Sequence, residues 1–109
     1  MRNERYERKG GAFVPANYPA LRESLPGYLH EDFQETSGTV AEAMEAFLNE
    51  ASAEEIQHVR EEWKRLRAHF AGRPLADMQA ALVRLGIAWR PASEEELRGL
   101  DEILTRGKA

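Results

Sequence analysis

The 109-residue chain contains no cysteine, which removes disulfides, thiolate catalysis and zinc–thiolate sites from consideration. It also lacks any apolar run near the ~18 residues needed to cross a bilayer. Its first nine residues, Met1 to Lys9, are charged throughout and hold no apolar stretch of the kind a secretory signal requires. These absences lead to the expectation of a cytoplasmic protein with no membrane partner. A further shortage is local. From Phe13 to Val59 there is a single base, Arg22, against nine acids, a net of −8. From Arg60 to Arg90 the balance reverses, with seven bases against three acids, a net of +4. The overall formal charge of −4 conceals this division. Charge segregated in this way gives one half of the molecule an attraction for cationic partners.

What is present is enough apolar material for one ordinary core: 42% hydrophobic and 31% charged residues in a chain of single-domain length. Residues 1–12 alternate Arg2, Arg5, Arg8 and Lys9 with Glu4 and Glu7 before Gly10-Gly11, without a core-forming pattern. They are expected to form a flexible charged N-terminal tail on a helical domain spanning 13–109. Helix signals then follow in order. Pro19 suits a first helical turn, and Pro26-Gly27 stops that helix after about Leu25. Thr39 with Glu42, Ser52 with Glu55, and Ser93 with Glu96 each fit the Ser/Thr-x-x-Glu capping box, in which hydroxyl and carboxylate satisfy free backbone N–H groups. A further helix is expected over about Leu75–Leu85, with Gly86 as its left-handed terminator and Gly72 before Pro74 ending the helix ahead of it.

Apolar residues recur at spacings of three and four in four stripes: Val40, Met44, Phe47, Leu48; Ile56, Val59, Trp63, Leu66, Phe70; Leu75, Met78, Leu82, Leu85; and Leu97, Leu100, Ile103, Leu104. The one extended candidate, Ile87-Ala88-Trp89, is too short to build a sheet. The pattern predicts an all-α, single-domain bundle of about five helices with short loops. Trp63 falls on its stripe as a core residue, and Trp89 is expected to plug the end of the bundle.

Four groups of residues carry possible chemistry. In Tyr28-Leu29-His30-Glu31-Asp32-Phe33-Gln34-Glu35 the aromatics can fold inward while Glu31, Asp32 and Glu35 face water. Carboxylates beside desolvated aromatic area suit a partner with a cationic surface. His30 and Asp32 lack a nucleophile, so His30 is expected to hold the loop and not to catalyse. Glu55 and His58 have the Glu-x-x-His spacing of a carboxylate-bridged di-iron site, but the second such pair is missing, so no metal and no cofactor are expected. Arg60, Lys64 and Arg67 share one helical face and could follow a phosphate backbone. Glu61 and Glu62 are interleaved among them and can pair with nearby bases, which favours a solvated face with ion pairs. A small regulatory protein that binds nucleic acid through the Arg60–Arg73 face is the alternative this leaves.

The stretch Tyr18-Pro19-Ala20-Leu21 followed by Gly27-Tyr28-Leu29-His30-Glu31-Asp32-Phe33 resembles the opening signature of the immunity proteins of bacterial contact-dependent growth inhibition systems. Later segments fit the same family: Thr39-Val40-Ala41-Glu42-Ala43 opening a helix that ends near Phe47-Leu48, and Leu82-Val83-Arg84-Leu85-Gly86 before a short aromatic segment. The resemblance covers most of residues 16–104, and Pro26 departs from the Gly-Gly usual before the aromatic segment. It implies a protein that is not an enzyme and has no small-molecule substrate. Its partner would be the C-terminal domain of a cognate toxin, often a nuclease, bound as a heterodimer with no direct contact to nucleic acid. Together with the charge pattern it makes Tyr28, His30, Glu31, Asp32, Phe33, Glu35, Glu42 and Glu45 the candidate toxin-binding residues.

Overall fold

The helices begin where a side-chain oxygen accepts from the first free N–H groups, as at Thr39, Ser52 and Ser93, or beside a proline, as at Pro19 and Pro74. The computed structural model describes residues 13–30 and 38–106. Within them run α1 (Pro19–Ser24), α2 (Val40–Glu50), α3 (Ala53–His69), α4 (Leu75–Arg84) and α5 (Glu94–Arg106), with 3₁₀ turns at Pro15–Asn17 and Leu25–Gly27 and no strand among the described residues. The all-α, five-helix domain expected from the sequence is the one that forms. The tail expected over residues 1–12 lies outside the described residues, as do Glu31, Asp32, Phe33 and Glu35.

The three predicted caps are all used, in different ways. At Thr39 the box is complete: Glu42 N–H donates to Thr39 Oγ1, and Thr39 N–H donates to the Glu42 carboxylate. Gly38 precedes it with φ +90°, an angle that favours glycine, and a Cβ there would push the Glu42 carboxylate out of the box. At Ser52 and Ser93 the hydroxyl half forms, while the glutamate turns elsewhere. Glu55 accepts a hydrogen bond from Ser24 Oγ, and Glu96 accepts one from Ala92 N–H. Gly72 and Gly86 take the expected left-handed conformations.

The apolar stripes converge on one core. Leu21, Leu25, Leu29, Met44, Val59, Leu66, Leu82 and Leu100 have at most 1% of their surface exposed, each such burial stabilising by roughly 1.5–3 kcal/mol. α1 lies against α3, and α5 packs between α2 and α3. The connector from α4 to α5 is fastened and not free. Ile87 N–H donates to Leu82 O, Ala88 N–H to Leu29 O and Gln79 Nε2 to Pro91 O. It presses Ile87 and Trp89 into the core, so Trp89 is the plug its position implied.

α5 is joined to α3 through Asp101. Its carboxylate accepts from the indole Nε1–H of Trp63 at 2.6 Å and from the Arg67 guanidinium through Nε and Nη2, both at 3.0 Å at their closest. Arg67 also reaches Glu94 at 2.8 Å. One turn along, Arg60 Nε donates to Leu104 O near the end of α5, where carbonyls lack helical partners. Asp101→Ala strands the buried indole N–H and one face of Arg67. It is expected to cost about 2 kcal/mol, seen as a lower urea midpoint at unchanged slope. A midpoint equal to that of the unaltered protein would show that Asp101 does not hold α5 in place.

Candidate functional site

The stretch from Tyr18 to His30 is first of all a piece of scaffold. α1 has only six residues, too few to be stable alone, and two carboxylates of α3 hold it. Glu62 Oε1 accepts from Leu21 N–H at 3.0 Å, and Glu55 Oε2 accepts from Ser24 Oγ at 3.2 Å. Glu62 is 8% exposed, which corrects the expectation that it pairs with neighbouring bases on a solvated face. It serves as a cap supplied by a neighbouring helix, one acceptor for the unpaired N–H groups of α1. Tyr18 is buried beneath the Arg65 guanidinium, 4.9 Å from its ring centre. Burial pushes the Tyr18 phenol above its ordinary pKa, with Arg65 acting against the shift and Glu62 adding to it. After the Leu25–Gly27 turn, Tyr28 and Leu29 N–H both donate to Leu25 O, and Leu29 drops into the core.

Tyr28 leans on α2. Its ring meets Phe47 edge-on at 5.5 Å, and its hydroxyl donates to Glu50 Oε1 at 2.7 Å. Acceptance by Glu50, burial and the surrounding carboxylate charge push the phenol up to about 12. His30 is half-buried just beyond. Glu42 sits at the opposite end of α2, occupied in its capping box. Glu45 stands between, exposed and without a hydrogen bond or ion pair to any described residue. Tyr28 at Glu50, Glu45 and Glu42 thus mark points spread along α2 over about 12 Å, at 1.5 Å per residue, with His30 beyond Tyr28. They do not form a single cluster.

The two charge classes fare differently. Glu23, Glu45 and Glu54 are exposed and unpaired among the described residues, and Glu42 and Glu50 also lie at the surface. The cations are largely committed to the protein itself. Arg60 holds Leu104 O, Arg65 holds Asn17 O, Arg67 holds Asp101 and Glu94, and Arg84 holds Phe13 O. Of the Arg60–Lys64–Arg67 face, Lys64 alone is both exposed and unpaired among the described residues. A phosphate backbone would therefore have to compete with internal acceptors. Glu55 serves Ser24, and no group of three or more His, Cys, Asp or Glu side chains among the described residues is arranged to hold a metal ion.

Sequence reasoning overlooked Glu62 and Asp101 as partners, though a signal was there. Glu55 and Glu62 share the helical stripe of Val59 and Leu66, and Asp101 interrupts that of Leu97, Leu100 and Leu104. An acid set among core positions has to find an internal donor.

The Tyr28 bond fixes a sign for alkaline titration. Folding raises this phenol from 10.0 to about 12. Its contribution to stability is whole below pH 10 and disappears as pH rises toward 12. Glu50→Gln should bring the phenol back toward its ordinary value, read from tyrosinate absorbance against pH. A transition left at about 12 would show that the bond to Glu50 is not the cause.

No curated protein and no solved structure matches the chain. The sequence pattern of the family described as CdiI immunity protein matches residues 17–97, a span that opens with α1 and closes within α5. By that match, which takes in most of its length, the chain belongs to the CdiI immunity protein family, and its role is that of an immunity protein that binds and neutralises a cognate toxin.

Proposed function

We propose that the protein forms a one-to-one complex with the C-terminal domain of its cognate toxin in the bacterial cytoplasm. In this reading the toxin is a nuclease, and its active site is occluded by the acidic half of the immunity protein. The contacting groups are Tyr28, His30, Glu31, Asp32, Phe33 and Glu35, together with Glu42 and Glu45 on α2. The protein acts by covering a surface and catalyses nothing.

The observation that carries the reading is the unequal use of charge. The net −8 between Phe13 and Val59 includes the exposed carboxylates of Glu23, Glu45 and Glu54, unpaired among the described residues, whereas Arg60, Arg65, Arg67 and Arg84 of the basic half are engaged internally. A nuclease grips phosphates with lysine, arginine or histidine, so its cleft presents the complementary charge. Complementary potentials speed encounter, to about 10⁸–10⁹ M⁻¹s⁻¹ at low salt. Close charge pairs across such an interface couple by roughly 1.5–7 kcal/mol, while pairs at the rim contribute far less.

Combined replacement of Glu31, Asp32 and Glu35 by Lys should abolish protection of cells that produce the toxin domain, with the helical circular dichroism unchanged. The association rate of the unaltered pair should also fall steeply as salt is added. Full protection by the triple variant would place the toxin against another face.

A further inference from the structure

Between the start of α2 and the outer side of α5 lies a cleft of about 530 Å³ that the family assignment leaves without a role. Val40 and Ala41 line it from α2 and Leu100 and Ile103 from α5, Trp89 of the preceding connector also lines it, and so does Gly99 in the middle of α5. Gly99 needs explaining. Glycine weakens a helix interior relative to alanine, yet a Cβ at Gly99 would meet nothing within 4 Å. No packing contact and no unusual backbone angle calls for glycine at this point. What its missing side chain does provide is bare, exposed backbone lining a largely apolar cleft, a place where a foreign chain can approach closely.

The surroundings state the charge of that chain. Residues three and four apart on a helix are neighbours. Glu95 and Glu102 are therefore adjacent to Gly99 on α5, and Glu45 lies one turn beyond Ala41 on α2. All three are exposed and unpaired among the described residues. Glu96, at the rim, accepts from Ala92 N–H, and Arg90 is the one cation lining the cleft. An apolar slot with Glu45, Glu95 and Glu102 on the helix surfaces beside it fits an apolar side chain whose neighbours are lysine or arginine.

We infer that this cleft is the socket for an apolar anchor residue carried on a basic surface of the toxin domain, admitted to close range by Gly99. The inference rests on the reading of α2 as the toxin-facing side and adds to it a position, a chemistry and a residue. Anchors seated in desolvated pockets carry most of the energy of such interfaces, and the charges around them set orientation and encounter rate.

The test uses the full chain and its cognate toxin domain, with affinity measured by calorimetry. Gly99→Trp fills the cleft from α5, and Ala41→Trp fills it from α2. Each should weaken binding by about 100-fold or more, the scale of a lost hot spot, with helical content preserved. Gly99→Ala should raise the melting temperature and still weaken binding by about tenfold, because it blocks close approach without filling the slot. If Gly99→Trp fails to fold, Ala41→Trp decides alone. Unaltered affinity in the folded variants overturns the socket and leaves the toxin reading standing. Failure of the unaltered protein to bind the toxin domain overturns both. Loss of self-association with toxin affinity intact gives the cleft to a second copy of this chain, and that too overturns the inference.

Discussion

The hydrogen bond from Leu21 N–H to the buried Glu62 carboxylate is the contact on which the placement of the N-terminal third depends. A six-residue helix cannot hold itself together in water, because nucleation costs more than its few internal bonds return. α1 persists because its apolar side, Leu21 and the adjoining Leu25, is buried against α3. The partial positive charge at its N-terminus also meets a carboxylate in a place from which water is excluded. The Ser24–Glu55 bond fixes the other end. With α1 held at both ends, the following turn delivers Leu29 to the core and Tyr28 to α2, and the Leu29 carbonyl receives Ala88 N–H from the far connector.

A second carboxylate does for α5 what Glu62 does for α1. Asp101 gathers an indole and a guanidinium from α3, and α5 in turn supports α2. Both acids belong to core-facing stripes, and both are satisfied by donors from another helix. Such groups confer little net stability in place of apolar residues, but they are costly to leave unpaired. Their effect is to define which way the helices meet.

Much of the architecture was legible in the sequence because it is written locally. A cap, a stripe and a stop each involve residues within one or two turns, and the predicted starts at Thr39, Ser52 and Ser93 and the stops at Gly72 and Gly86 are found as expected. What was not legible is pairing over distance. Nothing in the neighbourhood of Glu62 announces Leu21, forty-one residues away, and nothing near Arg65 announces the carbonyl of Asn17. The same limit applies to the site. The sequence marks Glu42 and Glu55 as capping residues but displays the other acids between Phe13 and Val59 as equivalent; folding gives Glu50 an internal duty, turns Glu55 toward Ser24, and leaves Glu45 and Glu54 without a partner among the described residues. The division depends on which donors the packed helices bring near, which only the folded chain determines. In the basic half Arg67 forms ion pairs of the kind expected of that face, but with partners on another helix, and Arg60, Arg65 and Arg84 fasten backbone carbonyls.

The separation of duties along α2 has a consequence for how this protein can change through descent. The inward side, Ala43, Met44, Phe47 and Leu48, is committed to the core, and substitutions there tend to cost stability. The outward side at Ala41, Glu45 and Asn49 touches little within the protein, so exchanges there leave folding nearly indifferent. A lineage can therefore rewrite what this surface recognises, residue by residue, without first gathering spare stability to survive the attempt. Inheritance of the framework and turnover of its face can proceed at unrelated speeds.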